Sequence, residues 1–285
     1  MPTLTVPAYA KLNLSLDVLG KRPDGYHELR MVMQSVSLAD ELTVAAGPGR
    51  GITLRTNLSY LPGDARNLAA IAARRFLEHT GLELAVDISL RKRIPVCAGL
   101  GGGSSDAAAV LRALNELAGT GLSPGSLARI GEKVGSDVPF CVLGGAALAE
   151  GRGERLTPVQ PLPPCTVVVC KPPFAISTPA LFGALAGRKL RRRPDTQGLL
   201  DALAGRDLTG AARRMYNVFE DVLPPRQGRS VAEIRNRLVG LGALGACMSG
   251  TGPTVFGLFD DTGAAEQAAR DLRGDYSDVF VTTPV

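Results

Sequence analysis

Apolar and polar residues alternate from Lys11 to Val18, with Leu12, Leu14, Leu16 and Val18 on one face and Lys11, Asn13, Ser15 and Asp17 on the other. That period of two predicts a half-buried strand, which sends Lys11 and Asn13 together toward an open face. Leu82, Leu84, Val86, Ile88 and Leu90 alternate in the same way and predict a second strand. Pro23-Asp24-Gly25 marks a turn, and Asn67 opens a helix over 68–76. Ala107, Val110, Leu111, Leu114 and Leu117 repeat at helical spacing, preceded by Ser104, Ser105 and Asp106, the residue types that cap helix N-termini. The pattern is therefore strand, glycine loop, then a helix running from about 107 to 119. A further helix ends near Gly135, ahead of Ser136-Asp137-Val138-Pro139 and an apolar stretch over 140–143.

Pro161-Leu162-Pro163-Pro164 is the most linker-like stretch. Beyond it, 166–170 reads as a strand, 231–241 as a helix, and 246–248 and 254–259 as strands flanking a glycine turn. A helix from 264 and a strand over 279–282 complete an α+β pattern. A chain of 285 residues predicts about two domains at roughly 150 residues each, divided here as 1–160 and 161–285. With 45% apolar and 21% charged residues, wholesale disorder is excluded. Nowhere do 18 apolar residues run together, so no membrane partner is expected, and residues 1–10 lack the basic start of a signal peptide. The five cysteines form no Cys-x-x-Cys pair and only His27 and His79 accompany them, which excludes a zinc pattern. Unpaired cysteines in apolar runs point to a reducing, cytoplasmic setting.

The net charge is +5, and the run 188–193 alone carries five positive charges. The remainder is neutral, so the excess reads as one solvated loop, and no nucleic-acid partner is expected. Glycine is the outlier, at 34 of 285 or about 12%, against ~7% typically. Such an excess suits tight turns and backbone that approaches a ligand closely. Gly99-Leu100-Gly101-Gly102-Gly103-Ser104-Ser105 at a helix start turns backbone N–H groups toward one point beside a positive dipole end, which makes an anion site. It lacks the lysine of a P-loop and the third glycine of G-x-G-x-x-G. Met248-Ser249-Gly250-Thr251-Gly252 is a second glycine element, which by itself suits a hairpin turn.

Together these segments resemble the GHMP kinase superfamily. Pro95 to Ser105 is similar to its central phosphate-binding motif, P-x-x-x-G-L-G-x-S-S, in the longer form G-L-G-G-G-S-S. Ala8-Tyr9-Ala10-Lys11-Leu12-Asn13-Leu14 with Arg22-Pro23-Asp24-Gly25-Tyr26-His27 resembles the first motif. Residues 135–140 and 248–252 resemble the acidic and C-terminal motifs, while Asp106 stands where asparagine is frequent. The resemblance implies an α+β (mixed α/β) two-domain fold: a ribosomal-protein-S5-domain-2-like, ATP-binding N-terminal domain and a ferredoxin-like C-terminal domain, with ligands in the cleft between them. It also implies ATP-dependent phosphorylation of the 2-hydroxyl of 4-diphosphocytidyl-2-C-methyl-D-erythritol, on the non-mevalonate route to isoprenoid precursors, with Mg2+ accompanying ATP. The choice between monomer and homodimer stays open.

Read alone, Asp137 suits a turn or cap and Lys11 a solvated strand face. The resemblance implies that Asp137 is the base for the acceptor hydroxyl and that Lys11 stabilises charge on the phosphoryl oxygens. It assigns Asn67, Pro95, Gly99, Leu100, Gly101, Gly102, Gly103, Ser104 and Ser105 to ATP, and Asn13, Tyr26, His27, Ser249, Gly250, Thr251 and Gly252 to the cytidine-diphosphate-linked acceptor. Tyr26 and His27 offer flat faces for a cytosine, or a loop clasp after the turn, and Asn13 offers both donor and acceptor. Asn67 suits an N-cap equally well. Ser105 is the best side chain for a metal ion, and His79 at a helix end carries no assigned function.

Overall fold

The alternation at 11–18 belongs to a much longer strand, β1 (Thr3–Lys21), which returns as β2 (His27–Pro48). The connection is the expected turn: Gly25 has φ +86°, and the Arg22 N–H donates to the Tyr26 carbonyl at 2.8 Å. The elements that follow are β3 (Ile52–Thr56), α1 (Leu68–Thr80), β4 (Leu84–Arg91), α2 (Gly102–Leu117), α3 (Pro124–Glu132) and α4 (Val138–Leu143). Then come β5 (Ala146–Gly151), β6 (Arg155–Pro158), β7 (Thr166–Lys171), α5 (Thr178–Leu185), α6 (Thr196–Ala204), α7 (Leu208–Arg214) and β8 (Tyr216–Asn217). A 3-10 turn at Val218–Val222 leads to α8 (Pro225–Gly240), β9 (Gly245–Met248), β10 (Val255–Phe259), α9 (Thr262–Leu272) and β11 (Asp278–Thr282). This computed structural model describes every residue except Ala186, Gly187, Lys189 and Arg191, so two cations of the 188–193 run lie outside the described residues.

The chain forms two compact units, and neither is one continuous segment. The first comprises Met1–Ala10, Ala39–Val96 and Gly101–Gly144. In it, β4 pairs antiparallel with the end of β2, from Glu41–Arg91 to Pro48–Leu84, and β3 runs parallel to β4. Helices α1, α2, α3 and α4 pack on one another, with Phe76, Leu111, Leu114 and Phe140 fully buried among them. Asn67 caps α1, accepting the Ala69 N–H at 3.0 Å. Helix α2 departs from expectation. It begins at Gly102, so Ser104, Ser105 and Asp106 lie inside its opening turns rather than capping it. The cap is Gly101, which reaches a left-handed φ of +69° that carries no penalty for glycine.

The second unit comprises Lys11–Leu38, Cys97–Leu100 and Gly145–Val285. Strands β11-β7-β10-β9 form an antiparallel sheet in that spatial order. Helix α8 packs on β9 and β10, and α9 on β7 and β11. The β–α–β–β–α–β order is the ferredoxin-like arrangement expected for this half. Elsewhere in the unit, β8 runs parallel to β1 with Leu16 opposite Asn217, and β5 pairs with the first part of β2. Helices α6 and α7 are capped by Asp195 and Asp207, each of which accepts an N–H three residues on.

A second expectation fails as well. The polar face of β1 is not open: Lys11 is 4% exposed, Asn13 and Ser15 0%, and Asp17 6%. Alternation reports which side chains share a face, but a further layer decides whether that face meets water. All five cysteines are unbridged, and burial pushes the Cys165 thiol up to about 11 and Cys170 to about 12. Among the described residues no helix is long and apolar enough to cross a membrane.

Phe76→Ala is expected to destabilise the protein by about 3–5 kcal/mol, because this 0%-exposed ring leaves a cavity behind. Urea unfolding that shows a loss below about 1 kcal/mol would contradict the packing described.

Candidate active site

In the first unit the anion-binding potential comes from how α2 begins. The Ser105 N–H donates to the Gly101 carbonyl at 2.8 Å, which closes the first helical bond. No described side chain caps the start, so the N–H groups of the first turn face outward with the positive end of the helix dipole. Packing is close here as well. A Cβ at Gly103 would stand 3.2 Å from Leu68 Cδ1, and one at Gly102 3.2 Å from Lys92 Nζ and 3.1 Å from Ile94 Cγ2.

Beneath that turn lies a buried charge cluster that sequence reading missed. The Lys92 ammonium donates to Asp40 Oδ2 and, at 2.7 Å, to Asp106 Oδ2. Asp40 Oδ1 also accepts the N–H groups of Arg93 and Ile94. Two carboxylates thus share one ammonium. Burial pushes Asp106 up to about 7; Lys92 opposes that rise and the Asp40 charge adds to it. Asp106 Oδ1 receives no hydrogen bond from any described group, which suits a protonated acid better than an ionised one.

The other predicted residues of this unit divide by role. Asn67 is committed to its helix: Oδ1 caps Ala69, and Nδ2 donates to the Pro62 carbonyl at 2.9 Å. Ser105 is 2% exposed, and its hydroxyl donates to the Tyr9 carbonyl at 2.5 Å. That bond commits the hydroxyl proton and leaves the oxygen lone pairs uncommitted. Among the described residues, no group of three His, Cys, Asp or Glu could hold a metal. Asp137 stands at the start of α4 but makes no capping bond to it, so its carboxylate is not a simple N-cap. Ser104 lies beside Gly135, where an added Cβ would sit 3.9 Å from the Ser104 hydroxyl.

In the second unit, the buried Lys11 ammonium donates to Asn13 Oδ1 at 2.6 Å, and the Lys11 N–H to the Leu100 carbonyl at 2.9 Å. Asn13 Nδ2 contacts Met31 Sδ at 3.3 Å. Ser249 Oγ accepts the Asn13 N–H at 3.2 Å and donates to the Gly99 carbonyl at 2.9 Å. Ser249 is fully buried, so it bridges the two glycine elements. A Cβ at Gly99, which has φ +77°, would drive into the Ser249 carbonyl oxygen. Thr251 shares a hydroxyl hydrogen bond with Thr178 at 2.9 Å, and the Gly252 N–H donates to the Ser249 carbonyl at 2.9 Å.

Tyr26 is 57% exposed, and the Arg152 guanidinium lies 5.1 Å from its ring centre. His27 stacks on Phe182 with centroids 4.5 Å apart, and Phe182 meets Phe219 edge-on. Phe182 lies on α5, which no sequence pattern announced, so only the fold supplies this third aromatic face.

Residues 67–145 match the GHMP kinases N terminal domain, and residues 199–278 the GHMP kinases C terminal domain. A 4-diphosphocytidyl-2-C-methyl-D-erythritol kinase of Clostridium novyi is 43% identical, over 98% of this chain and 99% of its own. One of Pelotomaculum thermopropionicum is 46% identical over 98% and 97%. This chain belongs to the GHMP kinase family. A crystal structure of a 4-(cytidine 5'-diphospho)-2C-methyl-D-erythritol kinase superposes with a TM-score of 0.83 at 37% identity, covering 99% of both chains. As a GHMP kinase the protein takes ATP as co-substrate, and the uncapped start of α2 is suited to an anionic phosphate chain.

Two outcomes follow from this geometry. Gly99→Ala places a methyl group against the Ser249 carbonyl in left-handed backbone; activity is expected to fall at least about 10-fold, with a lowered Tm. Asp106→Asn should flatten the pH dependence of stability. The folded wild type keeps a proton up to about pH 7 that the unfolded chain releases near 4, so its stability falls as pH rises through that window. Urea unfolding at pH 5 and pH 8 should show the wild type losing at least about 1 kcal/mol relative to the variant; parallel curves would refute it.

Proposed function

We propose that this chain transfers the γ-phosphoryl group of ATP to the 2-hydroxyl of 4-diphosphocytidyl-2-C-methyl-D-erythritol. The observation that carries the reading is the buried Lys11–Asn13 pair, held between Leu100 and Ser249, in a chain whose relatives are named for that reaction. In the step proposed, the acceptor hydroxyl gives its proton to Asp137 as its oxygen bonds the γ-phosphorus. The bond from the γ-phosphorus to the β–γ bridging oxygen breaks, and ADP leaves. Lys11 contributes a fixed positive charge for the oxygens of the transferring group, which is worth more in a desolvated setting than in water. The first-turn N–H groups of α2, with Gly101, Gly102, Gly103 and Ser104, would hold the phosphates of ATP.

Tyr26 and the His27–Phe182 stack would receive the cytosine of the acceptor, since an exposed ring and a stacked pair offer flat apolar surfaces to a base. Magnesium would arrive with ATP as its counter-cation, with Ser105 as the side chain proposed to meet it. The proposal includes a cytoplasmic setting and a small-molecule acceptor as the partner. It also keeps the division into 1–160 and 161–285; the two family matches lie on either side of it.

Coupled ADP release tests the reading. Lys11→Ala and Asp137→Asn are each expected to lower kcat by about 10²–10³, and mevalonate and homoserine should not replace the cytidine-linked acceptor. Turnover of mevalonate with the cytidine compound ignored would refute the acceptor, and full activity in Asp137→Asn would refute the base.

A further inference from the structure

Asn217 carries no motif and stands fully buried where β8 meets the 3-10 turn. Both N–H bonds of its side-chain amide are engaged: Nδ2 donates to the Met248 carbonyl at 2.8 Å and to the Gly250 carbonyl at 2.7 Å. Its Oδ1 accepts the Phe219 N–H at 3.0 Å. The backbone of Asn217 lies opposite Leu16 on β1, the strand that also carries Lys11 and Asn13. One side chain therefore ties that strand to the turn that follows β9.

The turn in question presses on the lysine. Gly250 has φ +57°, and a Cβ there would lie 3.3 Å from Lys11 Nζ and 3.4 Å from Asn13 Oδ1. Next to it, Ser249 takes the Asn13 N–H. The Gly250 backbone thus stands beside the Lys11–Asn13 pair with little room for a side chain between them, and the Asn217 amide holds it by its carbonyl.

We propose that Asn217 is a positioning residue for phosphoryl transfer: by holding the carbonyls of Met248 and Gly250 it fixes the 249–252 turn against Lys11 Nζ and Asn13 Oδ1, and so sets where the ammonium stands. The inference rests on the role given to Lys11 above. Charge stabilisation depends on a donor fixed to well under 1 Å. A lysine stem rotates freely unless its surroundings limit it. Serine at 217 is too short to reach both carbonyls, and aspartate would turn oxygen toward them where the amide offers N–H.

The test compares Asn217→Ser, Asn217→Asp, Gly250→Ala and Lys11→Ala with wild type. It reads Tm, ATP-binding stoichiometry by calorimetry, and kcat and KM for ATP and the cytidine-linked acceptor. Per ATP-binding molecule, Asn217→Ser and Asn217→Asp should lose about 10- to 100-fold in kcat, with KM for ATP within about threefold of wild type. A lower Tm with unchanged kcat per binding-competent molecule would make Asn217 structural only and overturn the proposal. If neither Asn217 variant folds, Gly250→Ala probes the same contact from the other side, and wild-type kcat there overturns it equally. Lys11→Ala separates the two readings: an active Lys11→Ala removes the role of Lys11 itself, whereas an inactive one beside fully active Asn217 variants removes only this inference.

Discussion

Helix α2 begins on backbone alone, and the chemistry of the first unit depends on that constraint. A serine or aspartate at the cap would take up one of the first-turn N–H groups that a phosphate could otherwise bind. Gly101 avoids this by taking a left-handed conformation, at the cost of a helix start with no side chain to hold it. Support comes from below. Lys92, Asp40 and Asp106 form a buried cluster against Gly102, and Leu68 packs under Gly103. The brace packs against the Gly102 and Gly103 positions and takes up none of the first-turn N–H groups.

A comparable logic applies in the second unit, where the difficulty is a buried cation. A lysine that is only 4% exposed is costly unless partners offset the desolvation of its ammonium. Asn13 Oδ1 meets it, Leu100 anchors its backbone, and Ser249 and Gly250 close around it. Once those contacts exist the charge is already desolvated and oriented, which is what stabilisation of a transferring phosphoryl group needs. A methyl group has no room at 99, where it would meet the Ser249 carbonyl oxygen, and at 250 the left-handed φ and the nearby Gly99 carbonyl disfavour one.

Much of this was legible in advance. The glycine loop, the turn ending at Gly25 and the elements β7, α8, β9, β10, α9 and β11 could be read from local pattern, because each is built from near neighbours in the chain, whereas the helices between β7 and α8 could not. What escaped has a common cause. Lys92 lies 52 residues from Asp40 and 14 from Asp106, so nothing local marks them as one cluster. Asn217 and Phe182 act on residues far from them in sequence and lie in short elements with weak periodicity. The start of α2 was misplaced because Ser104, Ser105 and Asp106 are good capping types, while glycine's left-handed conformation leaves no comparable signature in residue type.

While the roles expected of Lys11 and Asp137 came from the resemblance to the GHMP kinases, the amino-acid sequence by itself determined a glycine-rich anion loop before a helix and a strand face shared by Lys11 and Asn13. Those are properties of spacing and residue type, which the chain carries whatever its tertiary arrangement. Only the tertiary structure decided that the Lys11 face is buried, that Ser105 turns to a main-chain carbonyl, and that Ser249 and Asn217 hold the second glycine turn against the lysine. Burial and hydrogen-bond partnership depend on what packs across a face, and that is contributed by segments tens to hundreds of residues away.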